Sequence, residues 1–143
     1  MNPDVLGAYH DLLTDELPGG SDLVTINRVL SGVFERDRPY WLKKLYGLLQ
    51  PGGSLVVVDF ISCEDPVFDA VLGRWWTLMM GWSHHLKNRG AFPHVQPRTA
   101  MTTWVAPPSC TQMREQLAEA GFERIEVTKV IPPFVMLEGR RPG

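Results

Sequence analysis

The stretch from Ser21 to Ile61 reads SDLVTINRVLSGVFERDRPYWLKKLYGLLQPGGSLVVVDFI, and its punctuation decides the fold. Pro18-Gly19-Gly20 is a turn signal, and the β-branched, apolar run Leu23 to Leu30 behind it reads as a strand. Asp37-Arg38-Pro39 opens a helix, because proline suits the first turn, where its missing N–H is no loss. Trp41, Leu42, Leu45, Leu48 and Leu49 then recur at helical spacing, leaving Lys43, Lys44 and Gln50 to water. Pro51-Gly52-Gly53 stops that helix. Leu55-Val56-Val57-Val58-Asp59-Phe60-Ile61 follows without polar alternation, the pattern of a strand covered on both faces. Strand, helix and strand at this length make a βαβ unit, so the strands should run parallel with a right-handed crossover.

Downstream, residues from Asp65 to about Lys87 are expected to be helical, with Val71, Trp75, Leu78 and Trp82 along one side and Trp76, Met79 and Met80 beside them. Residues 88–107 read mostly as loop. Ser109 and Gln112 fit a capping box, Met113, Leu117 and Ala120 make a buried stripe, and Gly121 is a natural stop. Arg124 to Val130 alternates as a strand with one polar face, and Phe134 to Gly139 is a last short strand after Pro132-Pro133. The fold class is α/β, with a parallel pair near the start and a hairpin-like antiparallel pair at the end.

The 143 residues, 44% hydrophobic and 21% charged, suffice for a single domain, 1–143, with a real core. A net charge of −2 carries no basic field, which argues against nucleic acid or an anionic membrane as partner. The longest apolar run is far too short to span a bilayer, and the first residues lack the pattern of a signal peptide. Cys63 and Cys110 form no zinc pattern and read as reduced thiols in a cytoplasmic protein, with a single disulfide left open.

In order along the chain, Leu17-Pro18-Gly19-Gly20-Ser21-Asp22-Leu23-Val24, Asn27-Arg28-Val29-Leu30, Leu48-Leu49-Gln50-Pro51-Gly52-Gly53, Leu117-Ala118-Glu119-Ala120-Gly121-Phe122 and Val135 to Pro142 form five landmarks. Together they resemble the class I S-adenosylmethionine-dependent methyltransferases from their fourth strand onward, and within them the small-molecule O-methyltransferases. The resemblance covers about residues 4–142. It implies a partial Rossmann-like sheet, a half-domain whose cofactor loop and ribose-binding acid would stand upstream. Gly7-Ala8-Tyr9 falls where the family often has an aspartate facing the adenine, and Ala8 cannot serve. Leu30-Ser31-Gly32-Val33 falls where the O-methyltransferases often carry a catalytic histidine. Ser31 is a poor replacement, since an unactivated hydroxyl takes no proton near neutral pH.

Without the earlier strands, the edge of Leu23–Leu30 should be left unpaired, beside an apolar face that helices would otherwise cover. It contains no lysine or proline to repel a partner. The expectation is that a complementary N-terminal methyltransferase half, or a second copy of this chain, pairs there.

Asn27 and Arg28, at the end of the first strand, stand where open α/β sheets gather ligands. They can hold a cofactor carboxylate or an acceptor; equally, Arg28 can bridge to Asp59 and Asn27 can cap the turn. Trp75, Trp76, Met79 and Trp82, with Met80, suit an apolar acceptor pocket, and equally a core or a partner contact. His84 and His85 are the candidate replacement bases. As neighbours on a helix they point about 100° apart, so they do not share a metal easily, and no metal is expected. His94 is open to the same readings. Glu64-Asp65 and Arg140-Arg141 read as solvated charges.

The reaction implied by the resemblance is methyl transfer from S-adenosylmethionine to a small molecule, with this chain as one subunit of a split enzyme supplying the acceptor side. The alternative is a non-catalytic regulatory or assembly subunit that no longer binds cofactor, since fold does not fix function. An enzyme of different chemistry, such as a cyclase or isomerase, is a third reading.

Overall fold

The computed structural model describes residues 15–75, 78, 107–131 and 133–143. Strand β1, Ser21–Asn27, runs parallel to β2, Leu49–Phe60, with Val24 beside Leu55, Ile26 beside Val57 and Asn27 beside Val58. Between them lie a 3-10 turn, Leu30–Gly32, and helix α1, Arg38–Leu48. The expected βαβ unit is therefore present, although β1 ends earlier than its apolar run. Arg28 adopts a left-handed φ of 55°, which breaks the strand while its N–H still reaches the Val58 carbonyl at 2.8 Å.

The start of β2 is tight. A Cβ on Gly53 would stand 3.0 Å from the carbonyl oxygens of both Gln50 and Ser21, so only glycine lets the two strands close at this point. After β2, helix α2 begins in an Asp65-Pro66 cap: the Asp65 carboxylate accepts from the N–H of Val67 at 3.0 Å and of Phe68 at 3.1 Å. Residues 66–75 are helical.

Helix α3, Cys110–Ala120, has the expected capping box between Ser109 and Gln112, and it ends at Gly121 with φ 105°. Strand β3, Glu123–Lys129, turns back into β4, Phe134–Arg140, which lies antiparallel to both β3 and β2. The sheet order is β1-β2-β4-β3, a parallel pair extended by antiparallel strands.

Helices α1 and α3 pack on one face of this sheet. Leu42 and Leu45 from α1 meet Met113 and Leu117 from α3 over Leu55, Val57, Val135 and Leu137, all essentially free of solvent. Each such side chain contributes about 1.5–3 kcal/mol by leaving water. The expectation that β2 is covered on both faces is corrected here. Leu55, Val57 and Asp59 are buried, whereas the alternate residues Val56 and Val58 are only half-buried. Both helices sit on the first set, while the opposite face carries exposed Leu23 and Thr25 and half-buried Met136. At its far end that face closes around Phe60, whose ring lies 5.0 Å from that of Phe134.

Two charge pairs read as solvated are built into the fold. Asp65 caps α2 and pairs with Lys129 at 3.0 Å. Arg141 donates to the carbonyls of Tyr46 and Leu49, with its guanidinium 4.8 Å from the centre of the Tyr46 ring. Arg140 donates to the Gly52 carbonyl at 3.1 Å. The carbonyls freed at the end of α1 and the Pro-Gly turn thus find cations in the last strand and the tail beyond it.

Candidate functional site

Parallel strands β1 and β2 end together, and the loop leaving β1 is pinned over that end by Asp59. This carboxylate is only 1% exposed. One oxygen accepts the Ser31 N–H at 3.0 Å and the other its neighbour Phe60 N–H at 2.8 Å. The 3-10 turn is therefore held to β2 rather than free to move, and Ser31 is buried by it.

Beneath the loop lies Arg38, also 1% exposed. Its terminal nitrogens donate to the Gln116 side chain at 3.2 Å and the Val33 carbonyl at 3.3 Å, while Nε finds no partner among the described residues. Burial pulls the Arg38 pKa down, and the negative charges of Glu35 and Asp59 oppose that pull. Arg38 and Asp59 thus supply opposite charge on the two sides of the loop that carries Ser31.

Asn27 and Arg28 are exposed at the C-terminal end of β1, the position expected of ligand-binding residues. The suggested bridge from Arg28 to Asp59 is not formed: both Asp59 oxygens are occupied by backbone N–H groups, and among the described residues Arg28 enters no ion pair. On β1 the ladder is made on one side, to β2, and the strand is the sheet's edge among the described residues.

Trp75 lies on α2, 40% exposed, in line with Val67, Val71 and Leu78, which are 76%, 41% and 64% exposed. Of the stripe expected along this helix, Val71, Trp75 and Leu78 are described, and all three are exposed. The helix is anchored by the neighbouring Phe68 and Leu72, both buried. Trp76, Met79, Met80, Trp82, His84, His85, His94 and the Gly7-Ala8-Tyr9 segment lie outside the described residues.

Sequence reasoning missed Asp59 as the pin of the loop and Arg38 as a buried cation, and left open whether Cys63 and Cys110 meet. Each depends on a contact between segments far apart in the chain. Asp59 alone had a local signal, an acid ending an apolar strand.

The described residues do not make a cradle for S-adenosylmethionine by themselves. At the C-terminal end of β1 stand Asn27, Arg28 and the pinned 3-10 turn. Among them there is no cluster of three or more metal-ligating side chains, and no helix is long and apolar enough to cross a membrane.

No family model matches the chain. Curated relatives include carboxy-S-adenosyl-L-methionine synthases of Histophilus somni, 28% identical over 110 residues covering 75% of this chain and 43% of the relative. The synthase of Vibrio campbellii is 28% identical over 120 residues, covering 82% and 46%. Among solved structures, the S-adenosylmethionine-dependent methyltransferase SibL in its apo form superposes with a TM-score of 0.65 at 21% identity, over 95% of this chain and 35% of that one. Human N-acetylserotonin methyltransferase in complex with SAM also gives 0.65, at 19% identity, over 95% and 33%. The chain has the fold of S-adenosylmethionine-dependent methyltransferases, and it spans less than half the length of the relatives it matches.

Proposed function

We propose that this chain forms the acceptor side of an S-adenosylmethionine-dependent methyltransferase site for a small molecule, and that the cofactor cradle comes from further polypeptide pairing at the edge of β1. The observation that carries this reading is the edge strand itself: Asn27 and Arg28 stand exposed at its C-terminal end, and one side of its ladder has no partner among the described residues. An exposed arginine there, with no ion pair among the described residues, suits a carboxylate-bearing ligand, with Asn27 able to donate or accept beside it. The outward apolar stripe of Val67, Val71, Trp75 and Leu78 suits an apolar acceptor or the completing polypeptide.

Calorimetry with S-adenosylmethionine tests this. The chain alone should bind weakly. Addition of a polypeptide carrying the glycine-rich loop should restore tight binding, which Arg28→Ala then weakens about tenfold, the loss expected for one charge-assisted contact. Tight binding by the lone chain overturns the division of labour. Absence of binding in the completed complex favours the non-catalytic subunit.

A second reading has its own support, because the curated relatives are named for making carboxy-S-adenosyl-L-methionine. On that reading the sulfonium compound is itself the substrate. Mass analysis of the nucleoside product separates the two: loss of a methyl group marks methyl transfer, gain of a carboxyl group marks the synthase chemistry.

A further inference from the structure

Cys63 follows the end of β2 and Cys110 is the first residue of α3, 47 positions apart in the chain. A backbone bridge brings them together. The Ser62 N–H donates to the Pro108 carbonyl at 2.9 Å, the Cys110 N–H donates to the Ser62 carbonyl at 2.8 Å, and Ser62 pairs with Ser109 in the parallel sense. Residues one step beyond a parallel pair lie abreast, with side chains on the same side. Parallel neighbours stand about 4.8 Å apart, inside the Cα separation of about 4.4–6.8 Å that a disulfide accepts.

The two sulfurs are 3.7 Å apart, and both thiols are free and half-buried. Asp69 stiffens the site by accepting from the Ser62 hydroxyl at 2.9 Å and the Cys63 N–H at 3.0 Å. A concavity of about 340 Å³, bordered by Glu64, Thr111, Arg114 and Lys129, opens onto both sulfurs.

We propose that Cys63 and Cys110 form a reversible dithiol–disulfide site whose oxidant is a small-molecule disulfide entering this concavity. One cysteine gives up its proton and attacks a sulfur of the oxidant, expelling one thiol and leaving a mixed disulfide. The second cysteine, deprotonated in turn, attacks the protein sulfur of that bond and expels the other thiol. In sum two protein thiols are oxidised to one disulfide while one small disulfide is reduced to two thiols. The new bond ties the end of β2 to the start of α3 and closes the loop that carries α2 and its outward stripe.

Glutathione disulfide is the probe. The full chain, incubated with it and analysed intact, should lose the mass of two hydrogens without retaining glutathione. A digest should contain Cys63 and Cys110 in one linked peptide pair, and dithiothreitol should reverse the change. Cys63→Ser should instead hold one glutathione on Cys110. The oxidised chain should melt higher by about 10–15 °C, as closing a loop of this size in a chain of this length predicts. Stable glutathione on both cysteines of the natural chain, links between chains, or two thiols untouched after prolonged exposure each overturn the site. The mass readout on the natural chain decides the matter even if the serine variant does not fold.

Discussion

Asp59 joins two parts of the chain through nothing but backbone N–H groups, those of Ser31 and Phe60. An amide in its place has one acceptor oxygen for two buried donors, and its NH2 would face an N–H. Asp59→Asn should therefore lower stability by roughly 1–3 kcal/mol, read as a lower urea midpoint with unchanged slope. Asp65 makes a different, solvent-facing claim. Its carboxyl is held below the ordinary 3.8, first by the Phe68 N–H and then by Lys129, and Lys129 is held above 10.5, chiefly by Asp65. A lowered acid stabilises the fold above its unfolded value and loses that contribution as pH falls through the folded one; a raised base does so below its unfolded value and loses it as pH rises through the folded one. The melting-temperature gap between the natural chain and Asp65→Ala should thus stay level from about pH 5 to pH 9 and shrink on either side. Asp65→Ser, which can still cap, should recover part of it. The helix start near Asp65 was legible, but Asp65 itself was read as a solvated charge, and its partner Lys129 was not legible because it arrives from the far edge strand.

At the scale of elements, the β-branched run before Asn27, the Pro-Gly-Gly stop and the Ser109–Gln112 box each signalled their element locally; the box formed as expected, whereas β1 stops at Asn27 short of Leu30, and α1 ends at Leu48, so that Pro51-Gly52-Gly53 falls within β2. What periodicity could not supply was coverage. An unbroken apolar run in β2 is compatible with one buried face or two, and only the placement of α1 and α3 on the Leu55–Val57 side decides it. Two glycines separate close approach from mere tolerance. Gly53→Ala would drive a Cβ to 3.0 Å from two backbone carbonyls that cannot swing away, at a cost of about 1–3 kcal/mol. Gly47, within α1, has open space around its Cβ position, so Gly47→Ala should stabilise by up to about 1 kcal/mol. Urea titrations of both variants should move in opposite directions. A common direction would mean that the β1–β2 entry is looser than drawn.

For the molecule as a whole, the sheet order β1-β2-β4-β3 leaves β1 with one neighbour and one face of Leu23 and Thr25 in water, among the described residues. The position of Asn27 and Arg28 at the ligand end was readable from the end of the strand pattern. That Arg28 does not pair with Asp59 was not, because it depends on how Asp59 spends its oxygens. An edge with open N–H and C=O groups, carrying no lysine or proline and a single acid, Asp22, is a template for another strand. Purified alone at micromolar concentration, the chain should scatter light as more than a monomer, and its mass should rise with concentration. Leu23→Lys with Thr25→Lys places two charges on that edge strand, on the open face and clear of the buried core, so the variant should run as a monomer with an unchanged circular dichroism spectrum. If the natural chain is a stable monodisperse monomer, the edge needs no partner, and the proposal that other polypeptide completes the site through β1 falls with it.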